Sequence, residues 1–286
     1  MKMELANHRN EATERPASSF ILSPSSLAVW TLCSRELVRF YRQRNRVIGA
    51  LGSPLVFWLL IGSGLSGVGS AFKPVAGHTG MTAIEYLYPG TLVLILLFTA
   101  IFSTISIIED RREGFLQSVL VAPVSRMSLV AGKILGGTVL AVSQGISFLL
   151  LAPTVGIWPK PLALVAVLLV MFVVSFGLTG LGFALAWKMD STQGFHAIMN
   201  LFLIPMWLLS GALFPASGGP MWLHWVMTVN PLTYGVVALR SALYLDQPRV
   251  EGEMSLAVSL IISVVFAVLM LALATQLARS RDRSGR

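Results

Sequence analysis

Six stretches of the chain are long and apolar enough to cross a bilayer, and that leaves few folds open to it. They run approximately Val47–Val68, Tyr86–Ile108, Leu129–Leu151, Leu162–Trp187, Phe195–Phe214 and Leu256–Leu277. Each is close to the ~20 residues that a helix needs to span a hydrocarbon core. Backbone amides and carbonyls inside lipid must be satisfied within the segment, which makes such stretches helical. The reading is therefore an all-α integral membrane protein with six transmembrane helices. The composition agrees: 12% of residues are charged, against about 25% in a soluble domain.

An even number of spans puts both ends of the chain on one side, and the basic residues say which. Of 21 lysines and arginines, only Lys73, Lys160, Arg240 and Arg249 fall on the opposite side. Basic residues gather on the cytoplasmic side, so both termini are expected there. The net charge of +8 thus marks topology rather than a nucleic-acid partner. The one cysteine, Cys33, excludes an internal disulfide or a cysteine metal cluster, and the four histidines lack metal-ligand spacing.

Residues 1–22 show no periodicity and no signal-peptide pattern, and read as a mobile cytoplasmic tail. The membrane domain is expected over 23–280, followed by a short basic cytoplasmic end at 281–286. Over residues 24–46 an amphipathic helix precedes the first span. At about 100° per residue, Arg35, Arg39, Arg42 and Arg46 share one stripe, and Trp30, Cys33, Leu37, Phe40 and Tyr41 lie opposite. That pattern predicts an interfacial helix, with rings in the acyl boundary and guanidinium groups near lipid phosphates.

The segment 109–133 is the longest charged interruption between spans. It opens with Glu109, Asp110, Arg111, Arg112, Glu113 and Gly114, then offers a short helix with Phe115, Leu116, Val119 and Leu120 on one side. Pro123 should stop that helix and Ser125 should cap the next. A short two-faced helix between spans suits either the lipid headgroups or a protein outside the membrane. Between spans 5 and 6, residues 215–245 are apolar yet broken by Pro and Gly. Two short re-entrant helices joined at Asn230–Pro231 fit the demand that backbone at membrane depth be covered. An aromatic belt of Trp222, Trp225 and Tyr234 at the outer surface also fits.

Most tempting motifs fail on context. Gly62–Gly67 spells G-x-G-x-x-G but ends a membrane helix instead of linking a strand to a helix, so it reads as small residues for close packing. The same letters contain the GLSG of rhomboid proteases, but in the first span and without a histidine in the sixth. No phosphate-binding loop occurs, and no nucleophile or acid/base set for an intramembrane enzyme is visible. The middles of the six spans carry no Asp, Glu, Lys or Arg. A stand-alone channel or secondary transporter usually places ionisable groups there. If this protein moves a solute uphill, the energy should arrive from outside the bundle.

Two stretches carry a family likeness. EDRREGFLQSVLVAPVSRMSLVAGKIL, after span 2, and LSGALFP followed by NPLTYGVVALR, after span 5, resemble segments of the permease subunits of type-2 ABC transporters. That group includes drug and lipo-oligosaccharide exporters, and the likeness covers roughly residues 25–280. It implies an ATP-driven exporter subunit without enzymatic activity, in the bacterial inner membrane. The short helix over 111–121 would couple to a separate cytoplasmic ATPase, present in two copies. Arg111, Arg112, Glu113, Gly114, Phe115, Leu116, Val119 and Leu120 would make the contact. The entry helix would touch the same ATPase. Pro215, Asn230, Pro231, Tyr234 and Arg240 would belong to the pair closing the outer side. This chain would hold no cofactor, ATP and magnesium residing on the partner. Two permease copies, most simply a homodimer, would enclose the pathway, helped by Gly62, Ser63, Gly64 and Gly67 in span 1.

Overall fold

The computed structural model describes residues 24–42, 48, 52, 54–56, 58–60, 83–121, 124–213, 220–245 and 254–280. Among these every regular element is helical. In chain order they are α1 (Pro24–Arg42), α2 (Ala83–Ser103), α3 (Ile105–Arg112), α4 (Phe115–Val121), α5 (Arg126–Leu149), α6 (Pro161–Lys188), α7 (Thr192–Leu208), α8 (Met221–Val229), α9 (Pro231–Leu243) and α10 (Leu256–Ser280). A 3-10 turn, Ala152–Val155, links α5 to α6.

Among the described residues, four helical stretches are long and apolar enough to cross a membrane: Ile84–Arg112 (α2 running into α3), α5, α6 and α10. The expected fifth span appears as α7, 17 residues long and shorter than the expected Phe195–Phe214. Its end coincides with a Gly-containing turn at Ser210–Gly211, where Gly211 takes φ +79°. Most of the expected first span, and Pro215, lie outside the described residues. Trp58 is among the few residues of that span that are described. It is 5% exposed and sets its ring edge-on against Tyr88 (5.8 Å) and Phe148 (5.4 Å).

Local sequence explains the starts. Ser125 accepts the Ser128 amide at 3.0 Å and caps α5, as its position before the apolar run predicts. Ser191 caps α7 in the same way through Gly194 N. Asn230 caps α9, and Pro231 occupies the first helical position, where a missing amide costs nothing.

The central helix is α2. Its apolar window is 89% buried, whereas that of α10 is 17% buried. Around α2 pack α5, α6, α7 and α9, and α10 lies outside against α6 and α9. Small residues set how closely these helices approach. A Cβ on Gly177 would meet Phe266 at 2.8 Å, and one on Gly180 would meet Met270 at 3.0 Å, which lets α10 lie directly on α6.

The same device seats α1. A Cβ on Gly132 would meet Leu32 Cβ at 2.9 Å, and one on Gly136 would meet Glu36 Cβ at 2.9 Å. Further along, the Tyr41 hydroxyl lies 2.7 Å from Ser143 Oγ. These contacts advance together on both helices, so α1 runs beside α5 in the same direction for three turns. A helix lying flat in the headgroup plane would cross a spanning helix once, so the geometry differs from the in-plane expectation. The apolar side of α1 is divided accordingly. Leu32, Cys33 and Phe40 are buried in the chain, and Trp30 and Tyr41 are exposed.

Candidate functional site

The structure gathers its charges where α3 ends and α5 begins, and the gathering is organised by Asp110. This carboxylate is fully buried, which a lone anion would not tolerate. Three cations converge on it. Arg35 donates from Nη1 to Oδ2 at 3.0 Å and from Nη2 to Oδ1 at 2.8 Å, a two-pronged pairing suited to a planar guanidinium. Arg39, one turn along α1, donates to Oδ1 at 2.7 Å. Lys133 of α5 donates to Asp110 Oδ2, and to Glu36 Oε1 at 2.5 Å. Arg39 also reaches Glu109 at 3.0 Å and Glu113 at 3.2 Å.

The network follows from position. Arg35, Glu36 and Arg39 fall on one side of α1, and Lys133 stands directly after Gly132, where α1 comes closest. Bonding to Asp110 holds Arg35 protonated above even the ordinary arginine range. Neighbouring Cys33 has its thiol pKa raised, first by burial and then by the Glu36 carboxylate.

This is not where the sequence sends the arginines. Arg35 and Arg39 face carboxylates of the same chain instead of lipid phosphates. Arg42 is exposed, and Arg46 lies outside the described residues. The stripe was legible, but its acidic counterpart sits some 70 residues away in the chain.

The resemblance implies one element over 111–121, but the structure breaks it at Gly114, whose φ of +76° is open to glycine at little cost, and α4 follows that glycine as the residue pattern suggests. Arg111 and Arg112 close α3 and turn toward the end of α6. Arg111 donates to the carbonyls of Trp187 (2.6 Å) and Met189 (3.1 Å) and to the Asp190 carboxylate (2.9 Å). Arg112 donates to Asp190 O at 2.7 Å. Helix C-termini present unsatisfied carbonyls with partial negative charge, and these guanidinium groups answer them.

In α4 the apolar side faces inward, onto this chain. Leu116 is 4% exposed within the core, Val119 packs partly buried against it, and the Phe115 ring lies under Arg35, whose Cζ is 3.7 Å from the ring centroid. The Leu120 side chain lies outside the described set. What α4 offers outward is Gln117, Ser118 and Val121, the last 89% exposed, with Glu113 beside them. Phe115 and Leu116 therefore anchor the helix, and the free surface is on its other side.

At the opposite end of the bundle, α8 and α9 meet at Asn230, as the Asn-Pro pair suggests. The Asn230 side chain donates to Met206 O (2.6 Å) and Leu209 O (3.1 Å), tying this corner to the end of α7. Tyr234 donates to Thr228 O at 2.7 Å. Arg240 is buried, donates to Gly211 O at 3.0 Å and stacks over Tyr86. Trp222 and Trp225 are exposed at this end, whereas Tyr234, the third ring expected in an aromatic belt, is buried against the corner.

Sequence reasoning passed over Asp110, Lys133 and Glu36 as a unit. The available signal was a lysine one turn inside an apolar run, flanked by Gly132 and Gly136.

Comparison with known proteins accords with this architecture. Residues 27–244 match the family described as ABC-2 type transporter. A transport permease, ycf38, of Cyanophora paradoxa is 26% identical over 243 residues, covering 84% of this chain and 82% of the relative. Nodulation protein J of Sinorhizobium fredii is 26% identical over 204 residues, 71% of this chain and 75% of that protein. A multidrug ABC transporter permease, YbhR, of Escherichia coli is 28% identical over 138 residues, 47% of this chain and 36% of that protein. With the matched region running from α1 to the end of α9, the chain belongs to the ABC-2 type transporter family, as one of its membrane permeases.

Proposed function

We propose that this chain is the membrane subunit of an ATP-driven exporter, with six spans, both termini in the cytoplasm and the Asp110 end facing a separate ABC-type ATPase. The observation that carries the reading is the mounting of α4. The helix is clamped from behind by Leu116 and by the Phe115–Arg35 stack, and its outward side is left polar, with Val121 protruding. A helix held this rigidly can pass a push from a partner to α1, α3 and α5 together. Residues Glu113, Gln117, Ser118 and Val121 form the contact. ATP and magnesium belong to the partner, and nothing in this chain's motifs competes for them. Two copies of the chain, as a homodimer in the inner membrane, enclose the pathway and engage two ATPases. The pair α8 and α9 re-enters from the outer side and closes it. The charge-poor bundle suits an amphipathic cargo better than an ion.

The test is co-expression with an ABC-type ATPase from the same cell, followed by purification in mild detergent. A particle of two permeases and two ATPases, with ATP hydrolysis altered by Val121→Asp, is the expected result. Transport by the purified chain without any ATPase would overturn the reading.

A further inference from the structure

Away from the Asp110 network, a groove of about 600 Å³ runs along the C-terminal half of α10 where it passes the start of α5. Its upper part is apolar, lined by Val268, Leu271 and Ala272 of α10 and by Met127 of α5. Its lower part is polar, ending at Gln276 and Arg279. Val268 and Arg279 are eleven residues apart on a helix, about 16 Å along its axis. The lining therefore passes from hydrocarbon to a cation over the length of an acyl chain and its headgroup linkage. Arg279 is exposed and makes no ion pair among the described residues. Thr275, by contrast, is occupied: its hydroxyl donates to Leu271 O at 2.8 Å and lies 3.4 Å from Met127 Sδ.

We propose that this groove binds one anionic phospholipid, with an acyl chain against Val268, Leu271 and Met127 and the phosphate on Arg279. Charge decides the occupant. Arg279 is followed in the sequence by Arg281, Asp282, Arg283 and Arg286, a stretch that is net basic, and basic residues at the foot of a spanning helix attract acidic headgroups. The lipid lies in the inner leaflet if the orientation proposed above holds. Binding itself does not depend on that orientation, and so the two can fail separately.

The test is native mass spectrometry of the full chain, titrated with phosphatidylglycerol or with phosphatidylcholine. Wild type should retain phosphatidylglycerol preferentially. Arg279→Gln should lower that preference about fivefold, the equivalent of one basic side chain at a lipid surface. Ala272→Trp, which fills the apolar part, should lower retention of both lipids at this site, and monodisperse elution of each variant shows that it has folded. Equal retention of the two lipids by wild type, or no change in either variant, overturns the proposal. So does a photocrosslinker at Ala272 that captures a second copy, or residues 1–23 of the same chain, in place of lipid.

Discussion

Replacing Lys133 with methionine removes the cation shared by two buried carboxylates and keeps most of the side-chain volume. The Lys133 side chain is 3% exposed, Asp110 is 0% exposed and Glu36 is 5% exposed. Asp110 keeps Arg35 and Arg39, but Glu36 keeps only a 3.5 Å contact with Arg35. Breaking a buried pair by deleting one partner costs about 3–5 kcal/mol, because the other charge stays desolvated. At roughly 2–4 °C per kcal/mol for a chain of this size, thermal melting of the detergent-solubilised protein should fall by roughly 6–20 °C. The double variant Lys133→Met with Glu36→Gln removes the stranded charge. It should recover most of the loss and give a coupling energy above about 1.5 kcal/mol in a double-mutant cycle. A single variant melting within a degree of wild type, or a double variant as unstable as the sum of the singles, would refute the view that these residues act as one buried unit.

Gly136→Leu should lift α1 from α5, since even a Cβ would sit 2.9 Å from Glu36 Cβ. The readout is Cys33: burial disfavours its thiolate and raises its pKa, so the wild-type thiol should resist iodoacetamide near pH 7.5, and the variant should alkylate several-fold faster. Leu116→Asp should destabilise the permease itself by on the order of 2–4 kcal/mol, whereas Val121→Asp should leave melting unchanged and weaken ATPase co-purification. If both variants behave alike in both assays, the two sides of α4 have been assigned wrongly. Asn230→Ala loses the α9 cap and strands the Met206 and Leu209 carbonyls, at a cost of about 1–3 kcal/mol. Protease sensitivity between α7 and α9 should rise in proportion, and unchanged cleavage there would count against the corner.

Much of this architecture was legible because lipid imposes long, unmistakable patterns. The runs that became α2, α5, α6 and α10 needed only a length and a hydropathy scale. Ser125 and Asn230–Pro231 could be read because a cap and an N1 proline act within three or four residues of themselves. What stayed hidden were pairings across the chain. The arginine stripe of α1 reads equally well as facing phosphates or carboxylates, and only folding brings Asp110 to Arg35. The apolar side of α4 was visible, but a pattern cannot say whether that side meets a partner, lipid or its own chain. The in-plane expectation for α1 arose in the same way. Amphipathicity reports that a helix has two environments, and Gly132 and Gly136 then decide which ones.

The distance in sequence between α1 and its seat has a consequence for biosynthesis. The ribosome releases Arg35, Glu36 and Arg39 about a hundred residues before Gly132, Lys133 and Gly136 exist. Until then α1 lacks its groove, and Glu36 lacks Lys133. Its amphipathic character gives it a place to wait, afloat on the membrane surface with its apolar side in lipid. Asp110 and Lys133 arrive only 23 residues apart, and they can neutralise each other as the hairpin of α2–α3 and α5 enters the bilayer. Docking of α1 on α5 therefore has to follow the synthesis of α5. A nascent chain truncated before residue 126 should leave Cys33 open to alkylation, and one extended beyond α5 should close it.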